Sequence, residues 1–183
     1  LDDEKRLKEI VAQTKSRLQM RIQSSGHISA AMRAMAYYSP TARMKDMTAG
    51  IEYYELICDL SAHFDEKKEM LIKTLKHLAE EIFSPSRLIV SYTAAKEGIS
   101  QACDLVKSLE EKLSEYGKEK HQVEIVCEKK NEGFKTASKV QYVATAGNFI
   151  DAGYEYTGAL QILKVILSYE YLWQNIRVKG GAY

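Results

Sequence analysis

The last residues to carry usable chemistry are Arg177 and Tyr183, in the stretch RVKGGAY. A guanidinium and a phenol hydroxyl can together hold a peptide carbonyl or stabilise an oxyanion. Gly180 and Gly181 between them allow backbone to approach a ligand closely. On spacing alone the same pair also reads as the polar end of a helix. The other reactive residues offer less. His27, His63, His77 and His121 include no pair four residues apart and no His/Glu cluster of the zinc type. Cys58, Cys103 and Cys127 are odd in number and far apart, which reads as three reduced, mostly buried thiols in a reducing compartment. Glu80–Glu81 and Glu110–Glu111 read as solvated helix faces. The sequence holds no Gly-x-Ser-x-Gly elbow and no phosphate-binding Gly-Lys-Ser/Thr loop. No complete active site can be assembled from these residues.

The elements that position Arg177 and Tyr183 follow from periodicity. Leu7, Ile10, Val11, Thr14, Leu18 and Ile22 line one helix face up to about Gln23, where SSGH interrupts. A second helix fits Ile28 to Tyr38 and ends at YSPT, because Pro40 disfavours helical geometry at Ser39. A third fits Ala42 to His63, with Met44, Met47, Ile51, Tyr54 and Cys58 on one face. A fourth runs from an N-cap at Asp65 to about Phe83. RLIVSYT (87–93) reads as a strand, followed by a helix from Lys96 to Tyr116. QVEIVCE and SKVQYVATAGNF alternate as half-buried strands around a turn at KNEGF. The last helix, Glu155 to Gln174, is apolar nearly all round and is expected to be deeply buried. The fold class expected is α+β, with a unit boundary between about Tyr116 and His121.

Composition narrows the function classes. A net charge of +1 over 183 residues gives no field suited to nucleic acid or an anionic membrane. No apolar run approaches the roughly 20 residues that span a bilayer. The chain begins at Leu1 and stops at Tyr183, which suggests a piece of something larger.

Four stretches, SRLQMRIQSSGHISAAMRAM, YSPTARMKDMTAGIEYY, NEGFKTASKVQYVATAGNFIDAGYEYTGAL and YLWQNIRVKGGAY, closely resemble presequence-protease-like peptidases, a branch of the insulinase (pitrilysin) superfamily of zinc metallopeptidases. The resemblance implies insulinase-type (LuxS/metallohydrolase-like) α+β units, four of which close like a clamshell around a chamber. Residues 1–117 would be the C-terminal part of the third unit and residues 118–183 the truncated start of the fourth. The full-length protein would be a zinc metalloendopeptidase degrading unfolded peptides. Its zinc ligands, in a His-x-x-Glu-His motif, would lie outside this chain, leaving the fragment inactive and free of bound metal. By the same resemblance Tyr183 would contact the scissile carbonyl or oxyanion and Arg177 would position substrate. Implied partners are peptide substrate and the N-terminal half of the same protein, with no nucleic acid and no membrane. A cut sheet edge would let the fragment self-associate. The expected location is cytoplasmic, or an organellar matrix in a eukaryote. Two alternatives remain open: a non-catalytic insulinase-fold scaffold and a helical partner-binding module.

Overall fold

The computed structural model describes residues 3–113, 123–137 and 139–181. The expected unit boundary near 116–121 lies outside them. By its internal contacts the chain forms two compact units, Leu1–Ala144 and Thr145–Tyr183.

The first unit is built from helices. α1 (Glu4–Ser24) opens on Asp3, whose carboxylate accepts the Arg6 N–H at 2.9 Å. Ser25 alone interrupts the chain, and α2 (Gly26–Ala36) begins at the glycine read as a stop. Ser39 is extended, with φ −130° and ψ 121°, and Pro40 takes the first position of α3 (Pro40–Ala49), as proline geometry requires. α4 (Ile51–Ala62) and α5 (Phe64–Ile82) follow. Leu7, Val11 and Leu18 of α1 pack on Ile57 and Leu60 of α4 and Phe64 of α5 to form the core. Lys8–Asp65 at 3.1 Å and Lys68–Glu4 at 2.7 Å join α1 to α5 at the surface. Asp65 is therefore not the N-cap expected of it. It lies in the first turn of α5, where the helix dipole favours a carboxylate.

The single helix expected over Ala42–His63 is two helices meeting at Gly50. Asp46 causes the break. It is fully buried, and its Oδ1 accepts the Ile51 N–H at 3.0 Å, capping α4 from inside the preceding helix. A β-carbon on Gly50 would collide with that same carboxylate.

The α+β expectation is corrected here. Among the described residues there are helices and irregular connections but no strand. RLIVSYT follows a 3₁₀ turn at Pro85–Arg87 and runs without a partner, leaving Ile89 93% exposed. The described parts of QVEIVCE and SKVQYVATAGNF, from Val123 onward and without Ser138, form no ladder either. Alternation fixes which side chains would share a face. A strand exists only where backbone N–H and C=O groups meet a neighbouring strand. The helix expected over Lys96–Tyr116 is a 3₁₀ turn (Lys96–Gly98) leading into α6 (Ile99–Glu110), with Ser114–Tyr116 outside the described residues.

In the second unit, Asn148 Oδ1 accepts the Ile150 N–H at 3.1 Å and shapes a turn. α7 (Ala159–Ile166) then passes into a π-helical stretch, Leu167–Val178. Burial was expected for this helix. Its apolar residues, among them Ile162, Val165, Leu172 and Ile176, are exposed.

Asp46→Ala is expected to lower stability by about 3–5 kcal/mol, because it breaks a buried ion pair and removes a cap. Asp65→Ala, at an exposed pair, is expected to stay within about 1 kcal/mol. Urea unfolding of the two variants against the parent protein checks the contrast.

Candidate functional site

The densest chemistry in the first unit surrounds Arg33. This arginine sits in the apolar run ISAAMRAM on α2 and is only 6% exposed. A buried guanidinium needs acceptors for its fork of donors. Asp46 Oδ2 of α3 accepts from Nη1 at 2.5 Å, and Glu132 Oε1 accepts from Nε at 2.5 Å. Glu52 Oε2 of α4 stands 3.6 Å from Nη1. Glu52 is shared with Arg43, whose Nη2 donates to its Oε1 at 3.0 Å. Two cations thus face three carboxylates, which leaves one negative charge in excess. The Tyr37 hydroxyl meets that excess by donating to Glu132. The Arg33 guanidinium also lies 5.7 Å from the centre of the Phe134 ring and 5.8 Å from that of Tyr37.

The titration behaviour follows from these contacts. The hydrogen bond from Arg33 holds the Glu132 carboxyl below its ordinary 4.5 against the opposing effect of burial, and Tyr37 adds to it. Arg33 is pushed well above the usual arginine range, chiefly by Glu132. Burial, then the bond to Glu132, raises the Tyr37 phenol above 10.0, so it remains a donor at neutral pH. Beside this cluster lies a groove of about 710 Å³ whose walls include Gln23, Arg33, Tyr37, Glu132, Phe134 and Tyr142. Sequence reasoning passed over the cluster. The one local signal was a lone arginine within an apolar helix; Glu132 is 99 residues away.

The residues singled out from the sequence lie in the second unit. Arg177 is exposed near the end of the π-helical stretch, its guanidinium 4.8 Å from the Trp173 ring centre. That contact through a ring face fixes the cation without using a hydrogen-bond donor. Tyr183 lies outside the described residues. The glycine pair acts as a helix stop. Gly181 has φ +65° and donates its N–H to the Arg177 carbonyl at 3.0 Å. A β-carbon on Gly180 would come within 2.5 Å of the Ile176 carbonyl.

Among the described residues, no three His, Cys, Asp or Glu side chains gather as a metal donor set. His63 Nδ1 lies 3.0 Å from Asp59, and His77 Nε2 lies 3.7 Å from Glu81. Each brings one histidine to one carboxylate, short of the three protein ligands of a catalytic zinc. No described helix is long and apolar enough to cross a membrane.

Comparison with known proteins decides the family. The model for the region associated with subfamily C of the M16 peptidases matches residues 1–60, and the "PreP C-terminal domain" model matches residues 131–183. Together these matches support a presequence protease-like fragment of that subfamily. It is 34% identical to "Protein HypA" of Clostridium perfringens over 100% of this chain and 19% of that protein. It is 28% identical to "Presequence protease 1, chloroplastic/mitochondrial" of Arabidopsis thaliana over 99% of this chain and 17% of that protein. It is 23% identical to "Presequence protease, mitochondrial" of Yarrowia lipolytica over 97% of this chain and 18% of that protein. The chain therefore spans about a fifth of the length of these relatives. The two matched regions meet inside the first unit, where Arg33 of one holds Glu132 of the other.

The charge on Glu132 sets a pH dependence. Its folded pKa is depressed, so its contribution to stability is fully present above about 4.5 and is lost as pH falls through the lower folded value. The stability difference between the parent protein and Glu132→Gln is expected to persist from neutral pH down to about 4.5 and to shrink below it. Thermal melts of both proteins across pH 3–7 check this.

Proposed function

We propose that this chain is part of the C-terminal half of a zinc metalloendopeptidase that degrades unfolded peptides inside a closed chamber. The chain supplies chamber wall and contacts to substrate. The observation that carries this reading is similarity along the whole chain to presequence proteases, with both Arg177 and Tyr183 inside the matched PreP C-terminal domain. Zinc, held by residues elsewhere in the full-length protein, would supply Lewis-acid chemistry at the scissile carbonyl.

The steps assigned to this chain run through its own side chains. Arg177 presents a planar, permanently charged fork to a substrate carbonyl or carboxylate. Its contact with Trp173 limits the arc over which that fork swings. The Tyr183 hydroxyl donates to the scissile carbonyl oxygen as negative charge develops on it. That donation is strongest in the transition state. Closure of the two halves brings these groups to the bond being cut and excludes water. The apolar side chains left uncovered on α7 favour a further packing surface in the whole protein, in keeping with the N-terminal half as partner.

In the full-length enzyme, Tyr183→Phe is expected to lower kcat by about 10²–10³ with little change in KM, because a single oxyanion-type donor is removed while the ring remains. Arg177→Lys is expected to lower kcat and raise KM, since the point charge loses the planar fork. Steady-state kinetics on a fluorogenic peptide, with thermal melts alongside, measures both. An unchanged turnover number for Tyr183→Phe would remove that residue from the active site.

A further inference from the structure

Residues 129–134 touch α2 and its end through three side chains, although the segment carries no helix and no ladder of its own. Lys129 Nζ lies 4.8 Å over the Tyr38 ring. Glu132 accepts from Arg33 and from Tyr37. Phe134 lies against the Arg33 guanidinium. We propose that residues 129–134 form a releasable strap, clasped to α2 by Glu132, and that its release opens one wall of the groove, which the strap supplies through Glu132 and Phe134, and exposes Arg33 and Tyr37 on the other.

The two sides of the clasp are held very differently. Asp46 is wholly buried and engaged at both oxygens, by Arg33 and by the Ile51 N–H. Arg33 therefore stays anchored to α3 whether or not Glu132 is present. Glu132 stands on a connection without regular backbone pairing, and its side chain is 24% exposed. Loss of its charge leaves Arg33 with Asp46 and Glu52 as acceptors close by. Opening the strap thus leaves Arg33 with carboxylate partners on α3 and α4. Segments with few backbone hydrogen bonds open at lower free energy than packed helices. A charge-assisted hydrogen bond is the kind of contact able to set the closed fraction.

Limited trypsin digestion of the full-length protein tests the strap, because Lys129, Lys130 and Lys135 are cleavage sites within or beside it. Rates are normalised to matching synthetic peptides, since Glu132 itself affects trypsin. In Glu132→Gln, cleavage at these lysines is expected to rise about tenfold or more, while Lys15, Lys45 and Lys73 in α1, α3 and α5 keep the parent rate. Tyr37→Phe, which removes one donor and no charge, is expected to give a smaller rise at the same three sites. Glu124→Gln, an exposed carboxylate outside the strap, is expected to leave them unchanged. Unchanged cleavage in Glu132→Gln overturns the proposal. So does a rise of the same size at Lys15, Lys45 and Lys73, which would make Glu132 part of the core network and not a clasp.

Discussion

The first unit depends on one buried ion pair, Arg33 with Asp46. Neither charge could lie so far from water alone. The cost of desolvating each is several kcal/mol, and only good geometry with further hydrogen bonds offsets it. The geometry here comes from helix ends. Asp46 spends one oxygen on Arg33 and the other on the first N–H of α4. The residue that neutralises α2 thus also dictates where α3 stops and α4 starts. Gly50 is the companion of that choice, because any side chain there would displace the carboxylate. The angle between α3 and α4, the placement of Glu52 and the reach of Arg43 all follow from this arrangement.

Much of the helical framework was legible because its causes are local. The apolar period of α1, the proline at the start of α3 and the apolar line of α5 act over four residues or fewer. The break at Gly50 was not legible. Met44, Met47, Ile51, Tyr54 and Cys58 keep helical spacing straight across it, and the cause is a side-chain contact, not a change in pattern. The irregular stretches teach the converse. RLIVSYT is rich in β-branched and aromatic residues and QVEIVCE alternates, yet propensity and period describe one segment at a time. Pairing is a property of two segments, and nothing in either stretch encodes its neighbour.

The candidate site was legible in part for the same reason. Arg177 and the glycines were picked out by residue type, and their roles as helix end and stop are local. The stacking of Arg177 on Trp173, four residues back, was open to reading from YLWQNIR, though the helix there is π-helical and periodicity alone does not announce that. The Arg33 cluster was beyond reach. Its closing member, Glu132, lies in a turn-like KNEGF whose charge looks ordinary until the fold sets it beside a buried cation.

The two units differ in what they bury, and the difference has a physical consequence. In the first unit a cation and a carboxylate are buried while Met35, Met44 and Leu56 are about half exposed. In the second, Leu172, Trp173 and Ile176 are exposed along the helix that carries Arg177. Buried charge that is fully paired specifies a unique arrangement, because any shift of register leaves a charge without its partner. Exposed apolar surface specifies nothing by itself; it lowers its free energy against any shape-complementary surface. The first unit therefore carries its own instructions for packing. The second, with so much apolar surface exposed, carries fewer such instructions, and Arg177 lies exposed on that same helix.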